Sequence, residues 1–413
     1  MCIRDSGYPR AAVLLAESYL SDSSSQRDIL AIGDDVLINR LIAGSLDFSS
    51  DWVRKTRKVL IGLALFEKVG YRGDVSSEAK WVADLAQVEW TEFEEVVREQ
   101  KDRGIIQGEY YIYVTPFFLA AHLAREWWEI HGYDMNFEEF VGSIPEGIRG
   151  EMVDRFISRF PYITSTEPGR TLVRKLLSSG GLFADSSFLK TEVGANVFLK
   201  LAEADPESAL NCLERTIGAW DKEELLDFRI GRRQIVWALE RMAIWRELFA
   251  DAARLLLALG EAENENYSNN ASGVFVDLFS PAPGLVAPTE ASLEERYPIL
   301  MEAVSSDSLE RKFLALRAFR KALQSGHFTK TMGPEYQGSK PPPDLWTPRT
   351  YKEIFDYYCK VWNYLEENLE GFSDEIREEA IETLLSSARG IAGLSPSLSE
   401  MVIATIRKMT SHT

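Results

Sequence analysis

Few residues in this chain combine type and spacing in a way that could do chemistry. Gly7-Tyr8-Pro9-Arg10 is the one motif that could. Read from its residues, it is a turn followed by a proline-started helix, because a proline at the first helical position gives up no intrahelical hydrogen bond. Arg10 adds a guanidinium, whose planar donors pair with phosphate oxygens. Other candidates fail on spacing. No G-x-x-x-x-G-K-[ST] phosphate loop occurs, and Ser178-Ser179-Gly180-Gly181 has no lysine in the right place. His122, His131, His327 and His412 never pair at i, i+3 or i, i+4, and neither H-E-x-x-H nor G-x-S-x-G is present. His122 reads as an interfacial histidine, with a polar contact to a nucleotide as the alternative. Glu94-Glu95 and Glu366-Glu367 read as solvated helix faces. Cys2, Cys212 and Cys359 have no C-x-x-C or metal-ligand spacing. That argues against a disulfide framework and fits a reducing cytoplasm. No metal site and no catalytic residue is assigned.

The elements that must position these residues are mainly α-helical. Residues 9–20 and 27–43 read as helices, the second interrupted at Asp34 and Asp35, with Gly44 as its stop. Val53 to Lys68 is a helix with Val59, Leu60, Leu63, Ala64 and Phe66 as its apolar positions, ended by Gly70 and Gly73. Ser76 or Ser77 caps a second helix through Val88, on which Trp81, Val82 and Leu85 share a face. Thr91, with Glu94 at capping-box spacing, starts a third. Its apolar residues are Phe93, Val96 and Val97. Two short β-rich runs, hinged at Gly108-Glu109, fill 105–114. Phe117 to Ile130 returns to helix. Three helices, a small β-hairpin and a further helix is the winged-helix order, so 53–130 is assigned to a winged-helix domain.

Residues 150–330 read as short-looped helices: Asn196–Ala204, Pro206–Trp220 with Asp205 as N-cap, Arg232–Ala243, Trp245–Gly260, Leu293–Val304 and Ser308–Gln324. Paired helices without strands suggest an α-solenoid-like array of the HEAT or tetratricopeptide kind, with an irregular bundle as the alternative. Five prolines in 331–349 predict an extended surface loop, and 350–413 resumes as helix. The clustered tryptophans and tyrosines, Trp127-Trp128 and Tyr357-Tyr358 with Trp362 among them, read as packing between helices, with a few left for a ligand surface.

Composition narrows the function. The chain has 413 residues, 45% hydrophobic and 27% charged, a globular profile with room for two or three domains. Nothing approaches a membrane-spanning apolar run, and the first twenty residues lack a signal-peptide pattern. The net charge of −18 repels nucleic-acid backbones and anionic membranes at long range. On the third helix Glu92, Glu94, Glu95, Glu99 and Asp102 outnumber Arg98, Lys101 and Arg103, which disfavours groove entry. The basic cluster Arg54-Lys55-Arg57-Lys58 lies on the first helix instead. Met1 to Ser6 has no helical or strand period and reads as adapter-derived, so the biological chain is expected to begin upstream.

The run Arg103-Gly104-Ile105-Ile106 into Tyr111-Ile112-Tyr113-Val114-Thr115-Pro116 resembles the winged-helix domains that follow the nucleotide module in signalling P-loop ATPases of the STAND and AAA+ kind. Gly7-Tyr8-Pro9-Arg10 is similar to the G-x-P-R start of their lid helix. The resemblance implies that Gly7, Pro9 and Arg10 line a nucleotide pocket and that 7–50 is the remnant of a lid. It implies ATP and Mg in the parent protein, though no cofactor is assigned to this fragment. The partners it implies are other domains or subunits of an ATPase assembly and a protein ligand on the helical array, with a role in prokaryotic defence. Two other functions stay open, a non-enzymatic interaction scaffold and a winged-helix transcriptional regulator.

Overall fold

The computed structural model describes residues 34–43, 47, 49–328, 337 and 340–411. The chain is mainly α-helical and divides into two compact units that part between Val173 and Arg174. Among the described residues no helix is long and apolar enough to cross a membrane.

The first unit opens with α1 (Asp34–Ala43) and α2 (Asp51–Ala64), then β1 (Val69–Gly70), α3 (Ser76–Leu85) and α4 (Trp90–Asp102). A hairpin follows, β2 (Ile106–Gln107) and β3 (Tyr111–Val114), and then α5 (Phe117–His131). Periodicity made these helices: Val59, Leu60 and Leu63 of α2 and Phe93, Val96 and Val97 of α4 are all completely buried. Gly108 is indispensable to the hairpin. Its φ is +95°, and a Cβ there would stand 1.9 Å from the Tyr111 carbonyl oxygen.

The expected helix 53–68 is shorter than its sequence suggests. It ends at Ala64, because Val69 and Gly70 are drawn into the sheet beside Ile112 and Tyr111. The sheet therefore has three antiparallel strands in the order β1-β3-β2, not a bare hairpin. The capping box expected from Thr91 and Glu94 does not form. α4 begins one residue earlier, with Glu89 as an N-cap that makes no side-chain bond.

The compact unit also continues well past residue 130, through α6 (Phe137–Ser143), α7 (Glu146–Ile157) and α8 (Phe160–Ile163). Aromatic packing explains this. Phe156 of α7 lies 4.7 Å from Phe140, 5.7 Å from Phe66 and 5.9 Å from Trp128, ring centre to centre. Helix α7 thus belongs with the first unit, although sequence placed residues from 150 in the helical array. Helix α9 (Glu167–Leu177) follows.

In the second unit α10 (Glu192–Ala204) packs on α13 (Arg232–Met242), between which run α11 (Pro206–Arg215) and α12 (Lys222–Asp227). Then α14 (Phe249–Glu261) packs on α15 (Ala271–Asp277) and α16 (Leu293–Val304). Next α17 (Leu309–Ala322) packs on α19 (Asp374–Ala392), and α18 (Tyr351–Asn368) and α20 (Pro396–Ser411) complete the unit. Asp205 caps α11 as expected, accepting from the Ser208 amide at 3.1 Å. That helix stops at Arg215, short of Trp220, and a single 3-10 turn at Ile217–Ala219 follows. Likewise α14 starts at Phe249, because Trp245 to Leu248 are used in turns.

Residues 340–349 of the proline-rich segment are not a free surface loop. The Gly284 amide donates to the Trp346 carbonyl at 2.9 Å, the Trp346 amide to Thr289 O at 3.1 Å, and the Asp344 amide to Glu290 at 2.7 Å. Leu345 and Trp346 close over Ile244 and Ala287. Proline removes donors, but the amides between the prolines remain, and they fasten the segment as a strap. Glu366 is also not a simple solvated residue. It accepts from Thr405 Oγ1 at 2.6 Å, and that hydroxyl in turn accepts from the buried Trp362 indole at 2.9 Å, joining α18 to α20.

Candidate functional site

Gly7, Pro9 and Arg10, the residues singled out for a nucleotide pocket, lie outside the described residues. The charged surfaces of the first unit are described. Trp128, Trp362, Tyr357 and Tyr358 are fully or almost fully buried, which uses much of the aromatic clustering in cores.

Part of the basic cluster of α2 is engaged by the unit's own carboxylates. Lys55 Nζ reaches Glu92 at 2.6 Å and Asp51 at 3.2 Å. Arg57 grips both carboxylate oxygens of Glu126, at 2.8 and 2.7 Å. Arg54 pairs with Asp51 at 3.4 Å, and Lys58 is left exposed. On α4, Glu99 accepts from the Trp52 indole at 2.7 Å, while Glu94 and Glu95 point to solvent. Arg103, at the end of α4, donates to the carbonyls of Leu41 and Ile42 at 2.5 and 2.6 Å. A cation there satisfies orphan carbonyls at the C-terminus of α1 and meets the negative end of its dipole. Arg103 therefore fixes the preceding helix to the three-helix and sheet core.

In the second unit an open groove of about 990 Å³ runs between α17, the connection 323–328 and α19. Arg317, Arg320 and Lys321 enter it from α17 and Arg389 from α19, with Asp277 and Glu379 on its walls. His327 stands at its rim with a φ of +56°, held by Gln324, whose side-chain amide donates to the carbonyls of Gly326 and His327. Sequence reasoning found the helix 308–324 but did not single out these cations. The i, i+3, i+4 spacing of Arg317, Arg320 and Lys321 was the available signal, since it places all three on one side of a helix. Arg389, about seventy residues on, carried none.

Among the described residues no group of three or more His, Cys, Asp or Glu side chains is placed to hold a metal ion. The described cysteines are separate. Cys212 is completely buried, and burial pushes its thiol up to about 11. Cys359 is half-buried, and burial raises its thiol as well. A thiol is inert until it becomes a thiolate. Labelling of the native protein with a disulfide reagent near pH 8, read by peptide mass spectrometry, is therefore expected to leave Cys212 unmodified until the chain is denatured. Prompt native modification at Cys212 would contradict this packing.

The chain matches no known protein family, no curated protein and no solved structure.

Proposed function

We propose that this chain is the regulatory and sensor portion of a signal-transducing P-loop NTPase. The first unit supplies a winged-helix module that packs against other domains, and the second supplies an α-solenoid-like array that takes a protein ligand. One observation carries the reading. Several of the cations that a nucleic-acid-facing module would present are engaged within the unit itself, Lys55 by Glu92, Arg57 by Glu126 and Arg103 by backbone carbonyls, while Arg54, Lys58 and Arg98 stay exposed. Meanwhile the exposed face of α4 presents Glu94 and Glu95 with a single arginine, Arg98. Such a face repels phosphates and suits a protein partner.

The mechanism is a switch. The module holds an upstream nucleotide domain closed, and ligand on the helical array releases it for assembly. Arg103 supports this, because a helix whose terminal carbonyls it holds moves together with the module. Gly7, Pro9 and Arg10 would line the nucleotide, with ATP and Mg bound mainly by upstream residues of a cytoplasmic parent protein. The defence role rests on the resemblance to signalling ATPases alone.

Reading the coding DNA upstream of Met1 tests the proposal. A phosphate loop and its acidic partner strand within about one domain's length support it. A genuine start site immediately before Met1, with no such loop, overturns it. Fluorescence anisotropy with labelled duplex DNA at low salt is expected to show no binding. Affinity that falls steeply as salt rises would instead favour the transcriptional regulator.

A further inference from the structure

We propose that the groove between α17 and α19 binds a phosphate-bearing small molecule. Four cations line it, Arg317, Arg320, Lys321 and Arg389, against the carboxylates of Asp277 and Glu379. The local balance is positive on a chain whose net charge is −18. Two of the cations are partly neutralised. Lys321 meets Asp277 at 2.8 Å, and Arg320 meets Glu382 at 3.6 Å. Arg317 and Arg389 are exposed, and among the described residues neither has a carboxylate within ion-pair distance.

Compensation of helix dipoles explains some of this charge, but not all of it. Arg320, Lys321 and Arg389 sit in the last turns of their helices, where a cation offsets the negative end. Arg317 lies a turn earlier, beyond that effect. The neutral lining is suited to phosphate as well. Ser325 and Ser387 offer hydroxyl donors along the groove, groups that phosphate oxygens accept from, whereas Ser386 already donates to the Thr383 carbonyl at 3.1 Å. Gly390 allows the 323–328 connection to close on α19, since a Cβ there would stand 2.2 Å from the Ser325 hydroxyl oxygen. A larger residue would displace the Ser325 hydroxyl from this position.

Size and charge choose the ligand class. The groove, about 990 Å³ and open to solvent, has more room than a lone phosphate fills. Val276, Leu323 and Leu394 supply apolar wall for the remainder of such a molecule. A long nucleic acid would have to run past the groove over a chain of net charge −18, which repels its backbone at long range, whereas a small ligand needs only the groove. The inference uses the second unit's residues alone, so an upstream gene without an ATPase leaves it intact.

Isothermal titration of the full chain with inorganic pyrophosphate tests it. Saturable binding that weakens with salt is expected, and Arg317→Glu with Arg389→Glu should reduce affinity at least about tenfold. Arg229→Glu with Lys352→Glu changes net charge equally at exposed positions away from the groove and should leave affinity unchanged. All four residues are exposed, and thermal melts confirm that each variant is folded. Three results would overturn the proposal: no saturable binding at millimolar pyrophosphate, an equal loss in both variants, or groove-variant affinity within tenfold of wild type. Binding only to phosphatidylcholine vesicles containing phosphatidic acid, or only to duplex DNA, would also overturn it.

Discussion

Glu78→Leu is expected to destabilise the first unit by about 3–5 kcal/mol, the usual cost of leaving a buried charge without its partner. Glu78 lies in the first turn of α3 and is 2% exposed. One of its oxygens, Oε2, accepts from Arg155 Nη1 of α7 at 2.5 Å and from the Gly70 amide of β1 at 2.5 Å. The carboxylate therefore joins a helix, a strand and a second helix from the far end of the unit. Its loss strands the buried Arg155, which among the described residues then keeps the solvent-facing Glu151 and the Tyr111 ring beneath it. It also strands the Gly70 donor.

Adding Arg155→Met should restore at least about 2 kcal/mol, because two apolar residues packed together avoid the desolvation that the pair had to overcome. Hydrogen exchange in peptides covering 69–70 and 111–114, followed through a urea series, isolates the first unit. Two results would show that the pair is not what closes this unit: a single variant within about 1 kcal/mol of wild type, or a double variant no better than the single.

That pair also marks where the sequence stops being informative. Helices α2 and α4 were legible because burial forces a period on them, and the residues named for their apolar faces are the ones the core encloses. The hairpin was legible because Gly108 needs a backbone conformation open to few residues. Strand β1 was not, since two residues carry no alternation and its partner lies some forty positions later. Glu78 and Arg155 were not legible, because nothing local distinguishes a carboxylate whose partner is 77 residues away. The proline-rich strap misled for a related reason. Composition reports the donors that prolines lack, while the amides of Asp344 and Trp346 find acceptors that only the tertiary fold supplies. The groove was half legible, through the spacing on α17 and not through Arg389.

Arg296→Met is expected to cost the second unit about 3–5 kcal/mol and to release the strap, since each buried carbonyl left without a donor costs about 1–3 kcal/mol. Arg296 lies on α16, is completely buried, and among the described residues has no carboxylate partner. Burial lowers its pKa to about 10, which still leaves it charged at neutral pH. Its counter-charge comes from backbone dipoles. Nε donates to Ala291 O at 2.8 Å, and Nη1 donates to Ser280 O at 2.7 Å and Leu278 O at 3.4 Å. Those carbonyls belong to the chain that leaves α15 and the chain that enters α16, so a planar fork closes the whole connection. Trp346 of the strap lies over the guanidinium at 5.5 Å, a cation–π contact strengthened by desolvation. Arg296→Lys keeps the charge but has a single tetrahedral donor head, which cannot reach both sides of the connection. It should therefore behave more like the Met variant than like wild type. The amides of Gly284 and Trp346, which tie the strap down, should exchange on the order of a hundredfold faster in both variants, about 3 kcal/mol of lost local protection. Unchanged exchange at those two amides would mean that the strap is held without Arg296. A lysine variant as stable as wild type would mean that charge alone, and not the fork, closes the connection.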